Sequence, residues 1–179
     1  MYARSATVGI LAVIAFTLPE LAAPGFTLQS TGAVRLHASG HDARYGVVPA
    51  AVQGRPILVL SLGATRAPGA VQLTRSGDRM PAPGRYPIRS SWEEIATDTN
   101  SFHASFMAGT VERPLGWFHG ESGSVTITKA QEGRISGTFE VWADGFMAGD
   151  SADSDRWVEV RGSFDAEGDS TVATIASAR

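Results

Sequence analysis

A chain of 179 residues with a formal net charge of −3 suits one domain with a real core, and it carries no basic stripe of the kind that binds nucleic acid. It has no cysteine, which excludes disulfides, thiolate metal sites, cysteine nucleophiles and a lipidated cysteine anchor together. Twenty glycines, and no long helical periodicity after residue 23, predict an all-β chain with many turns.

The N-terminus, residues 1–23, reads as an export signal: Arg4 supplies the positive start, 5–18 the apolar core and Leu21-Ala22-Ala23 a small-residue exit. At 1.5 Å per residue that core reaches only about 21 Å, short of the ~30 Å hydrocarbon layer. Cleavage is the first expectation. An uncleaved membrane anchor extending through Leu21 is the second. Either places residues 24–179, one domain, outside the cytoplasm.

From Phe26 the pattern turns to period two, and Val34, Leu36 and Ala38 alternate with Arg35, His37 and Ser39 as in a half-buried strand. Residues 41–45 look like a turn. The continuous apolar run 57–62 predicts a strand buried on both faces. Val71 and Leu73 alternate in the next strand, and Pro81-Ala82-Pro83-Gly84 makes a rigid turn. Ser91-Trp92-Glu93-Glu94 has a capping-box pattern that predicts a helical turn over 92–96. Phe102, Ala104, Phe106 and Ala108 alternate in a further strand, after which 111–122 reads as a loop holding Trp117, Phe118 and His119. Val125 and Ile127 open a hairpin whose turn is 130–133, and 171–176 supplies a last strand.

Between these lies the stretch that organises the domain. Ile135-Ser136-Gly137-Thr138-Phe139 and Val160-Arg161-Gly162-Ser163-Phe164 share one pattern: apolar, any residue, glycine, hydroxyl, Phe. Pairing them about the intervening polar loop predicts Gly137 opposite Gly162, Phe139 opposite Val160, Val141 opposite Val158 and Trp142 opposite Trp157. In that register Glu140 and Glu159 face each other, a cost unless Arg161, Arg134 or a cation is near. Facing glycines mark a bend or the close approach of a ring such as Phe102, Phe106 or Trp92. About eight strands in hairpin order predict an antiparallel β-sandwich or a flattened up-and-down barrel.

The runs Gly123-Ser124-Val125-Thr126-Ile127-Thr128, Gly133 to Phe139 and Val160 to Phe164, with the earlier Pro83-Gly84-Arg85-Tyr86-Pro87-Ile88, resemble a pattern in exported bacterial β-domains of unknown function. The resemblance covers about half the chain and its motifs are structural. It implies a β-sandwich outside the cytoplasm and carries over no catalytic residue.

Chemistry-bearing patterns are sparse. The loop 144–155 holds Asp150, Asp153 and Asp155, three oxygens for calcium, but without the order of an EF-hand or its closing Glu, so a solvated acidic loop is expected. His37, His41, His103 and His119 lack metal-ligand spacing, and no nucleophile elbow or phosphate loop occurs. No cofactor and no catalysis are therefore expected. Trp142 and Trp157 fall on the solvent face, and the fourteen residues between them are long for a hairpin loop. With Phe146 and Met147 they form the expected contact surface for other protein subunits, extended by Trp117 and Phe118. The function expected from sequence is non-catalytic protein binding outside the cytoplasm, as an accessory subunit of a bacterial membrane complex if residues 1–23 stay as an anchor. The alternative is a soluble periplasmic carrier or carbohydrate-binding module using the same aromatics.

Overall fold

The computed structural model describes residues 25–63, 67–90, 97–131, 133–151 and 155–169, the side chains of 50–52 excepted. They form ten strands: β1 Gly25–Gly32, β2 Leu36–Gly40, β3 Ala43–Val52, β4 Arg55–Leu62, β5 Gly69–Ser76, β6 Gly84–Pro87, β7 His103–Thr110, β8 Arg113–Gln131, β9 Arg134–Met147 and β10 Arg156–Gly168. The expected export segment 1–23, the helical turn at 92–96 and the strand at 171–176 lie outside the described residues. Among those described, no helix is long and apolar enough to cross a membrane.

The all-β expectation is met, and the pairings close on themselves. Antiparallel neighbours run β3-β4-β5-β7-β8-β9-β10. β10 then returns to β3 through a short parallel contact at Glu167 and Gly168. The rest of that edge of β10 is taken by β1, which carries β2 on its far side. β6 pairs with the second half of β8. The ten strands thus form one sheet, antiparallel apart from that contact.

The alternation of side chains explains what each face does. One side of the sheet contributes Leu58, Leu60, Leu62, Leu73, Phe102, Phe106 and Phe118, all at most 2% exposed, to a single core with Phe26, Leu28, Val141, Val160 and Phe164. The run 57–62 is buried on both faces as expected, because Ile57 and Val59 pack with Val48 in a separate cluster on the opposite side. Elsewhere the outer side bears ion pairs such as Arg134–Asp165 and Arg161–Glu140 and, on β8 to β10, exposed aromatic side chains.

The register of the central hairpin differs from expectation by two residues. Gly137 lies opposite Phe164, Phe139 opposite Gly162, Val141 opposite Val160 and Ala143 opposite Val158. A shift of two keeps every side chain on its expected face, so the face assignment survives while the partners change. The reason is steric. A Cβ at Gly162 would lie 2.6 Å from Phe139 Cζ, and one at Gly137 2.9 Å from Phe164 Cζ. Each ring uses the space over the glycine of the neighbouring strand, and the two rings stack with centroids 6.5 Å apart. Facing glycines would have left both spaces empty. The rings that fill them are these two, not Phe102 or Phe106, and Trp92 lies outside the described residues.

Two expected loops are strands. Residues 111–122 are largely the start of β8, a 19-residue strand whose register shifts at Gly120/Ser122 and again at Ile127/Lys129. Burial alternates regularly up to Gly120, but glycines take inner positions 116 and 120 while Leu115 and Trp117 face outward, so no period-two apolar pattern marks the strand. The loop expected over 144–155 is shorter, because β9 runs on to Met147 and β10 begins at Arg156. The turn expected at 41–45 is only a bend between β2 and β3, since Ala43 already pairs with Leu62.

Candidate functional site

The outer face of β8, β9 and β10 collects the exposed aromatic side chains. Trp142 is 44%, Phe146 55% and Trp157 57% exposed, although all three belong to regular strands. On this face Trp117 lies opposite Phe146, while Asp144, flanked by Trp142 and Phe146 on its own strand, lies opposite Trp157. Leu115, 55% exposed, continues the patch along β8.

The two tryptophans are not directly opposite, as the expected register had it: Trp142 faces Glu159, and Trp157 faces Asp144. They meet diagonally, stacked with centroids 5.7 Å apart and planes at 26°. Trp157 is held from behind as well. Its carbonyl accepts a hydrogen bond of 3.0 Å from the Ala33 amide. Its ring lies so close to Gly32 that a Cβ there would be 3.2 Å from ring carbons, and Gly32 has φ +99°, a conformation suited to glycine. The pair is therefore presented by rigid strands rather than by a loop.

Of the expected surface, Phe118 and Met147 stand differently. Phe118 is fully buried and stacks on Phe106 at 5.8 Å, so it belongs to the core. Met147 is half-buried with its side chain packed against that core, and Trp117 is half-buried on the outer face. The alternation along β8 separates Trp117 and Phe118 onto opposite sides of the sheet.

The charges around the patch pair locally. Glu140 and Glu159 do not face each other: Arg161 lies opposite Glu140 and bridges to both carboxylates, at 3.1 Å from Glu140. Asp150, a candidate calcium ligand, instead accepts from Arg156 at 3.1 Å and from the Met147 amide at 2.9 Å. The Arg156 guanidinium and that amide hold its carboxyl below the ordinary carboxylate range. Among the described residues no cluster of three potential ligands could hold a metal, and Asp153 lies outside them. On the other side of the hairpin Arg134 donates two bonds to Asp165, at 2.8 and 2.7 Å, and Ser136 donates a third at 2.9 Å. Burial alone would push the Asp165 carboxyl up, but these bonds outweigh it and lower it below its usual value.

Pairing across several strands creates two rows that the sequence does not display. Ser105, His119 and Asp144 sit side by side on β7, β8 and β9. Beside them is a water-sized cavity of about 40 Å³ lined by Gln72, Thr74, Arg89, His103, Ser105 and His119. No hydrogen bond joins the three side chains. The second row runs Arg85, Thr126, Thr138, Ser163, Thr27 and Ser39 across β6, β8, β9, β10, β1 and β2. Neither row could be read beforehand, because each member comes from a different strand and only the register aligns them.

Comparison with known proteins gives no family model, no curated protein and no solved structure that matches this chain.

Proposed function

We propose that this protein is a non-catalytic binding module outside the cytoplasm, which docks onto another protein through the outer face around Trp142, Phe146 and Trp157. The observation that carries the reading is the stacked tryptophan pair, roughly half exposed and continuous with Phe146 and Leu115. Large aromatic side chains fixed on strands bring much contact area at little ordering cost, which is why Trp anchors so often dominate interfaces. The fold does not need that area exposed: the core is complete on the other side of the same strands. Placement outside the cytoplasm rests on the export-like residues 1–23, and their retention would make the domain a tethered accessory subunit of a membrane complex.

A ligand held inside the sheet is the less favoured reading, since buried Leu and Phe side chains fill that space. The test is the double substitution W142S/W157S, expressed in the host from which the wild type is extracted in mild detergent. The wild type should migrate in a species larger than one chain, and the variant should keep its melting temperature within a few degrees yet migrate alone. Unchanged migration of a folded variant would refute the assignment of this face.

A further inference from the structure

The polar half of the same outer face forms a separate groove. Its volume is about 320 Å³, and its lining includes Arg85, Ser124, Thr126, Thr138, Glu140 and Arg161. We propose that this groove binds an acidic oligosaccharide laid across the strands, with Thr126 and Thr138 on sugar hydroxyls and Arg85 on a carboxylate.

The first argument is the row of hydroxyls. Thr126, Thr138, Ser163, Thr27 and Ser39 stand one per strand, and at about 4.8 Å between strands the row spans roughly 19 Å. Each hydroxyl both donates and accepts, which matches the hydroxyls of a sugar chain. Thr27 and Ser163 use theirs on each other at 2.8 Å. No partner among the described residues takes the hydroxyls of Thr126 and Thr138, and both open onto the groove.

Charge supplies the second argument. Arg161 is matched by Glu140 and Glu159. Arg85 is exposed, lies at the end of the hydroxyl row, and has no carboxylate partner among the described residues. One unmatched guanidinium beside several hydroxyls complements a polyhydroxylated ligand that carries carboxylates. A small inorganic anion would use Arg85 and leave the row idle. A lipid surface would need large exposed apolar side chains here, whereas the one large apolar residue of the lining, Phe139, is buried and the exposed side chains are polar or charged.

The experiment is titration calorimetry of the full chain with tetragalacturonate, and with maltotetraose as the neutral counterpart. The acidic oligomer should bind, with the neutral one at least about tenfold weaker. R85Q should weaken tetragalacturonate about tenfold and leave maltotetraose unchanged, because it removes only the charge-matched contact. T126V/T138V keeps β-branched side chains on the strands, so it should fold normally and weaken both sugars. W142S/W157S should leave the sugar affinity unchanged, which separates this site from the aromatic patch. The proposal is overturned by no saturable binding of tetragalacturonate at about millimolar concentration, or by binding that R85Q leaves within about twofold. Equal loss in W142S/W157S would overturn it too, by moving the site to the patch.

Discussion

β9 and β10 carry two aromatic pairs, one on each side of the same hairpin. Phe139 and Phe164 stack at 6.5 Å with planes at 29°, and Trp142 and Trp157 at 5.7 Å with planes at 26°. The geometry is nearly shared, but the phenylalanines are 3% and 4% exposed whereas the tryptophans are 44% and 57% exposed. The inner rings fill the space above glycines and close the core. The outer rings contact each other and water. Stacking as such does not distinguish a structural pair from one available to a partner; what lies on the far side of the rings does.

The largest effect should come from breaking the inner pair. Phe164→Ala removes a buried ring and leaves its space over Gly137 empty, for an expected loss of about 3–5 kcal/mol in urea unfolding. Overfilling the same arrangement comes next. Gly162→Ala would push a methyl group against Phe139 and the Thr27 carbonyl, for about 1–3 kcal/mol. The outer counterpart, Trp157→Ser, should cost no more than about 1.5 kcal/mol, the scale of an aromatic contact between exposed rings. If it cost as much as Phe164→Ala, the contrast between the two faces would collapse, and the exposed pair would have to be counted as part of the fold.

A smaller effect concerns the ion pair that fastens the far end of the hairpin. Asp165 has a folded pKa below its unfolded value near 3.9, held down by Arg134 and Ser136 against the opposing push of burial. The ionised carboxylate therefore stabilises the fold above that value, and the contribution is lost as pH falls through the folded pKa. Asp165→Asn should lower the melting temperature slightly at neutral pH and make its decline below about pH 4 shallower. An unaltered acid limb would show that other carboxylates set it. Asp150 shares the same sign, lowered by Arg156, so D150N offers an independent check on the tryptophan side of the hairpin.

Local pattern made much of this legible in advance. Period-two alternation assigned Phe139, Val141, Val158, Val160 and Phe164 to the core and Trp142 and Trp157 to the outside, and burial agrees for all of them. It failed where the alternation is absent or ambiguous. The start of β8 carries glycine at inner positions 116 and 120 and apolar Leu115 and Trp117 outside, so its sequence reads as a loop although the strand sends Trp117 and Phe118 to opposite faces. The hairpin register was off by two because a period of two cannot distinguish such a shift.

The sequence by itself determined the class of the fold and the face on which the residues of β9 and β10 lie, because both follow from the alternation of apolar and polar side chains along a single strand. Tertiary structure alone decided the partners across strands. The placing of Phe139 over Gly162, the shared Arg161 between Glu140 and Glu159, and the alignment of Arg85 with Thr126 and Thr138 depend on register and closure. Those are set by packing between segments far apart in the chain, where rings must find space and charges must find counter-charges, and a single strand holds no record of them.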